Sequence, residues 1–118
     1  MEPEDLFAGH PVALAVLSRV RVILEAAGPV AVRASASQVA FRRARGFAWL
    51  WRPGQYLRGD VAPLVLSIGL GRHDPSARWK DVVHPSPRHW IHHLEIRDPA
   101  EVDEAVAAWL LEAAERAG

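Results

Sequence analysis

Cysteine is absent from the 118 residues. Disulfides, thiol nucleophiles and cysteine-ligated zinc or iron–sulfur centres are thereby excluded, although no cellular compartment is. No apolar run approaches the roughly 18 to 20 residues that a membrane-spanning helix needs. The opening Met1-Glu2-Pro3-Glu4-Asp5 is acidic where a secretory leader would be basic and then apolar. A cytoplasmic chain that engages no membrane is the expectation. Lysine is almost missing too, with thirteen arginines against Lys80 alone, and alanine is abundant, a bias that reads as genomic base composition before function. Several chemical signatures are also lacking. No serine sits in a nucleophile elbow, no glycine-rich loop could cradle a phosphate, and no histidine motif carries paired carboxylates at helical spacing. Gly69-Leu70-Gly71-Arg72 is too short for a dinucleotide fingerprint. No cofactor is expected.

What is present suits one domain over residues 1–118, with 1–9 as a flexible N-terminal segment, since a chain of this length can bury a single core without staples. The net charge is zero but unevenly spread. Residues 33–97 carry eleven cations against four anions, and residues 98–118 one cation against six anions. Such a basic middle and acidic end fit either an anion-binding surface or complementarity between a sheet and its covering helix. The second reading is preferred, because arginines beside an acidic helix need no partner.

Hydrophobic spacing organises the chain. Val12, Val16, Val20, Ile23 and Ala27 predict a helix from Pro11 to Ala27, begun by proline and ended by Gly28 and Pro29. Alternation predicts strands at Val30–Ser35, Gln38–Arg43, Phe47–Arg52 and Leu64–Leu70. In the third of these, Phe47, Trp49 and Trp51 share one face and Ala48 and Leu50 the other. A strand apolar on both sides is covered twice or presents an aromatic surface to a ligand or partner. Gly69 in the fourth leaves room for close approach. Residues 71–89 read as a long loop holding a short helix from Pro75 to Val83, capped by Asp74. A fifth strand, Trp90–Ile96, precedes a final helix capped by Asp98, with Pro99 first and Glu101 closing a capping box. The expected fold class is α+β: an antiparallel sheet of about five strands, two long helices packed on one face, and a short helix in the loop before the last strand.

The residues richest in chemistry are His84, His89, His92 and His93, all within ten positions. Histidine titrates near neutrality and binds transition metals. Adjacent residues on a strand point to opposite faces, however, so His92 and His93 cannot readily chelate one ion, and no metal is expected. For acid–base catalysis the candidates are His92 or His93 with Asp81, Asp74 or Glu95. Arg42, Arg43, Arg45 and Arg52 interleave with Phe47, Trp49 and Trp51 as in single-strand nucleic-acid binders. A half-buried strand after a charged turn gives the same string, and the near-neutral pI of about 7.0 does not favour that partner. Self-association as a two-fold dimer is a third use for the apolar strand.

The run Gln38 to Pro53, Pro63-Leu64-Val65-Leu66, Arg78-Trp79-Lys80-Asp81-Val82-Val83-His84-Pro85, His92-His93-Leu94-Glu95, and Asp103 with Trp109-Leu110-Leu111-Glu112-Ala113 together resemble a bacterial family known as domain of unknown function 5655. The likeness runs from about Phe7 to the last residue. It implies a small stand-alone or terminal module of unassigned activity, and carries over no catalytic residue. A fainter likeness in element order joins it to small α+β iron chaperones and DNA-binding wings, which is analogy alone. The leading expectation is therefore a non-enzymatic module that binds a small ligand or a protein partner. Its expected surface combines Trp49, Trp51, Arg42 and Arg78 with Trp79, Trp90 and His92. The alternative is an enzyme using His92 or His93 with a carboxylate.

Overall fold

The stretch expected to be flexible folds. In the computed structural model, which describes residues 1–118, α1 (Pro3–Leu6) is closed by a capping box in which the Asp5 carboxylate accepts from the Glu2 amide at 2.8 Å. Phe7 behind it is fully buried. Burying such a side chain is worth about 1.5–3 kcal/mol, which anchors a segment whose composition alone looks solvated. Helix α2 (Pro11–Ala26) starts on proline, whose missing N–H costs nothing in a first turn. It buries Ala13, Val16, Leu17, Val20 and Leu24, so the apolar stripe is turned from the predicted one and shares Val16 and Val20 with it. Gly28, at φ 139°, releases the chain in a conformation other residues avoid.

Six strands follow, one more than expected. They are β1 (Ala31–Ala34), β2 (Val39–Arg42), β3 (Gly46–Trp51), β4 (Leu64–Leu70), β5 (Asp81–Ser86) and β6 (His89–Ile96), in the order β1-β2-β3-β4-β6-β5 with every pair antiparallel. The extra strand replaces the predicted helix over Pro75–Val83. Asp74 does accept from the Ser76 amide as a cap would, at 3.1 Å. The turn fails to propagate because Val82 and Val83 pair with His92 and Ile91 across the β5–β6 ladder, where β-branched residues fit better than in a helix. The final helix is corrected as well. Asp98 and Glu101 form the expected capping box, but around a single 3₁₀ turn, Pro99–Glu101. Helix α3 (Glu104–Ala117) begins afresh, with the Asp103 carboxylate accepting from the Val106 amide at 3.1 Å.

The core lies between α2, α3 and one sheet face. Register aligns Val39 with Leu50, Ala48 with Ile68, Leu50 with Leu66, and Leu66 with Leu94, so one parity of each strand builds a continuous apolar layer against Val20, Leu24, Val106 and Leu110. A register shift at Phe41 and Arg42 opposite Gly46 marks a bulge. Beside it Phe47 is buried, in contrast to Trp49 and Trp51 with which it was expected to share a partly open face. No helix is long and apolar enough to cross a membrane.

Candidate functional site

The four clustered histidines occupy four different environments. His84 stacks on Trp90 at the sheet edge, with ring centroids 3.8 Å apart and planes within 11°. His89 places Nδ1 3.0 Å from the Arg116 guanidinium, which also donates to the Arg88 carbonyl. His92 is fully buried on the helix side and His93 is half-buried on the other face, as alternation along β6 requires. No three histidine or carboxylate side chains gather where they could hold one metal ion.

Around His92 the polar groups form a closed network. Its Nε2 accepts from the Asp74 amide at 3.0 Å and its Nδ1 lies 3.2 Å from the Trp90 carbonyl, so the ring is the neutral tautomer protonated on Nδ1. Burial is the largest influence on it and pushes its pKa below the ordinary 6.5. Asp74 is the centre of this network. One carboxylate oxygen accepts from the Trp79 indole at 2.9 Å and the Ser76 amide, the other from Arg72 at 2.9 Å and the Trp109 indole at 3.3 Å. Burial acts to raise the Asp74 pKa, and is the strongest single influence. The bonds from Trp79, Ser76 and Arg72 together outweigh it and hold the carboxyl below its ordinary value. Trp79 packs between His92 and Trp109, with centroid separations of 4.8 and 4.2 Å. With both ring nitrogens engaged and the side chain enclosed, His92 has no lone pair or proton left for a substrate.

The opposite face carries a different arrangement. Register sets Ala40, Trp49, Ser67, His93 and Asp81 side by side across five strands, with Trp51, Val65 and Glu95 in the adjoining row. The Trp51 indole donates to Ser67 Oγ at 2.9 Å, and Ser67 Oγ lies 2.7 Å from His93 Nδ1. An indole N–H can only donate, so the serine hydroxyl accepts from Trp51, and because the hydroxyl is buried with His93 Nδ1 as its one other partner, its own proton is donated to that nitrogen. That fixes His93 as the Nε2–H tautomer, with Nε2 free of any protein partner. Burial, partly opposed by the charge of Asp81, lowers the His93 pKa; the ring is neutral at pH 7 and offers an N–H donor.

Two hollows meet at this pair and share Trp51 and His93 as walls. The deeper, about 360 Å³, is bounded by Leu57, Val61 and Val65 and by Lys80, Asp81 and Glu95. The shallower, about 290 Å³, reaches Trp49, Ser67 and Ile91. Gly69 no longer offers open space. A Cβ there would meet Ile91 and the Phe47 carbonyl at 3.5 Å and the Trp49 ring at 3.8 Å, ordinary van der Waals contact, so the position is lined by the protein's own atoms.

The expected ligand surface is therefore not one surface. Trp49 and Trp51 stay together beside the hollows, while Trp79 and His92 lie in the interior on the helix side, and Trp90 faces His84. Arg78 is held by Asp103 at 3.0 Å and by the Glu101 carbonyl at 3.0 Å, and Arg42 is exposed at the bulge with one nitrogen on the Ala44 carbonyl. The first part of the long loop, residues 71–80, docks Asp74 and Trp79 toward Trp109 of α3. Of the proposed catalytic candidates, Asp81, Glu95 and His93 meet in the deeper hollow. Sequence reasoning missed Ser67, Leu57, Val61 and Val65. The signal for Ser67 was a lone hydroxyl in the apolar run Leu64–Leu70, a polar group that must find a partner if buried.

The arginine-rich turn has a structural use. Arg43 donates to the Ala27 carbonyl after α2 and to the Ala114 carbonyl in the last turn of α3, and Arg45 donates to the Arg116 carbonyl. Cations belong at helix C-termini, where carbonyls lack partners and the macrodipole is negative. These contacts, with Arg72 on Glu112 and Arg78 on Asp103, are the complementarity between basic middle and acidic end. The largest hollow, about 700 Å³ beside Arg43 and Gly28, is the junction these caps leave.

A family model described as Domain of unknown function (DUF5655) matches residues 4–116. No curated protein and no solved structure matches the chain.

Proposed function

The chain belongs to the family described as Domain of unknown function (DUF5655), and as membership names no activity, we propose from the site itself that it is a non-enzymatic module binding a small ligand. The ligand would lie on the open sheet face against Trp49, Trp51 and His93. The observation that carries this reading is the chain from Trp51 through Ser67 to His93, at 2.9 and 2.7 Å, which fixes an aromatic wall and a neutral N–H donor beside a hollow of about 360 Å³. A small number of oriented polar groups in a mostly apolar pocket is what ligand sites use. Ser67 is only 3% exposed and its oxygen already accepts from Trp51, which argues against a nucleophile. Arg43 and Arg45 are held at helix ends, which weakens the nucleic-acid reading.

The test is an NMR titration of ¹⁵N-labelled protein with benzyltrimethylammonium, benzyl alcohol and phenylacetate. Saturable shifts of the Trp51 indole N–H, with the Trp79 indole unmoved, are expected for at least one of them. No shift at Trp51 with any probe at millimolar concentration would count against the pocket.

One observation favours an enzyme as the second reading: Ser67, His93 and Asp81 occupy a single cross-strand row. A fluorophosphonate that labels Ser67, and fails on Ser67→Ala, would establish it over simple binding.

A further inference from the structure

Resting on the reading of the open-face hollow as a ligand site, we propose that its ligand is a small organic cation, a protonated or alkylated amine bearing an apolar group. Charge pairing at the walls comes first. Three carboxylates line the deeper hollow, Asp60, Asp81 and Glu95. Lys80 Nζ lies 3.5 Å from Glu95 and Arg97 lies 3.7 Å from Asp60, so two of the three already face a cation. Asp81 enters no ion pair and only accepts from the amide of Val82. It stands opposite His93 in the β5–β6 register, and His93 adds no positive charge at neutral pH because burial disfavours its protonation. The hollow thus holds one unmatched negative charge.

The aromatic groups around that charge point the same way. Trp51 has Tyr56 at 6.4 Å, tilted by 56°, and His93 at 6.2 Å, edge-on at 90°. Indole offers the strongest cation–π face among side chains, and aromatic walls beside a carboxylate are suited to ammonium groups too weakly hydrated to prefer water. Leu57, at 58% exposure, lines this hollow, and Tyr56, at 64%, stands beside its Trp51 wall; both are among the most exposed large apolar side chains of the molecule. An apolar substituent on the amine would cover them. An anionic ligand would meet Asp81, and a neutral one would displace water from that carboxylate without replacing its interactions, which is unfavourable.

The probes are benzyltrimethylammonium, benzyl alcohol and phenylacetate, followed by the Trp51 indole N–H of the intact chain. The cation is expected to bind about tenfold more tightly than the alcohol, the factor that a cation–π contact plus one partly screened carboxylate supplies, and phenylacetate more weakly still. Asp81→Asn, at an exposed position, should lower affinity for the cation several-fold and leave benzyl alcohol binding no weaker than before. Equal binding of cation and alcohol, or an unaffected Asp81→Asn variant, would overturn the cation assignment while leaving the pocket itself standing. Failure of all three probes at Trp51 would overturn both.

Discussion

Replacing Asp74 with alanine removes the acceptor for four donors at once: the indoles of Trp79 and Trp109, the Ser76 amide and Arg72. Their fates differ. Arg72 is half-exposed and retains Glu112 at 2.8 Å, so its loss is screened and costs at most about 1 kcal/mol. The Trp79 N–H is enclosed, since Trp79 is only 9% exposed, and an enclosed donor without a partner costs about 1–3 kcal/mol. The Ser76 and Trp109 donors are half-buried and recover part of their loss from water, leaving about 1 kcal/mol each. Asp74→Ala should therefore destabilise the fold by about 3–6 kcal/mol, comparable to breaking a buried charged group out of its network. That is a large share of the roughly 5–15 kcal/mol that holds a domain. Asp74→Asn keeps one acceptor oxygen, which can serve Trp79 and Ser76, and should cost about 2 kcal/mol. Urea unfolding at pH 7 measures both. The folded pKa of Asp74 lies below its ordinary 3.8, so its contribution is present above the unfolded value and is lost as pH falls through the folded one. The gap between wild type and Asp74→Ala should therefore narrow in strong acid, where the protonated carboxyl keeps an acceptor oxygen but loses its charge. A loss below about 1 kcal/mol at pH 7, or equal losses for alanine and asparagine, would refute the network as described.

His92 and His93 both have folded pKa values below 6.5, so the unfolded chain takes up protons first and stability should fall as pH drops below about 6.5. Urea midpoints between pH 8 and 5 check this, and a flat profile would contradict the burial of both imidazoles. Arg43→Ala strips a cation from the ends of two helices and should cost about 1–2 kcal/mol, read as a fall of several degrees in the melting temperature. Ser67→Ala orphans the Trp51 indole and frees His93 Nδ1. The ¹⁵N shifts of the His93 ring should move from a pure Nε2–H tautomer toward a mixture, and a wild-type ring already protonated on Nδ1 would overturn the assignment.

Elements were legible where local chemistry and tertiary context agree. Proline at the start and glycine after the end of α2, and alternation along β6, act over a few residues and survive folding. Two of the failures involve a remote partner and one the limits of a local signal. Val82 and Val83 looked like the end of a helix until His92 and Ile91 were set opposite them. Phe7 sat in an acidic, proline-bearing segment, and only the core behind it explains its burial. Asp98 carried a complete capping box, yet capping signals report a turn and not its length, and the helix proper needed the second cap at Asp103.

For the site the same physics divides what composition lumps together. The histidine window is dense in titratable groups, and strand parity alone separates His92 from His93. Which of the two is available to a ligand depends on what each meets. Ile68 opposite His92 belongs to the helix-covered layer, whereas Ser67 opposite His93 lies on the other parity. A hydroxyl on the open face gives His93 a partner for one nitrogen and leaves the second free, while the Asp74 amide and the Trp90 carbonyl leave His92 with neither. The difference in surroundings between these adjacent identical side chains is thus a property of register across β3, β4, β6 and β5. Pairing Trp49, Ser67, His93 and Asp81 in one row is information held between strands that are up to 44 residues apart in sequence and adjacent only in the sheet.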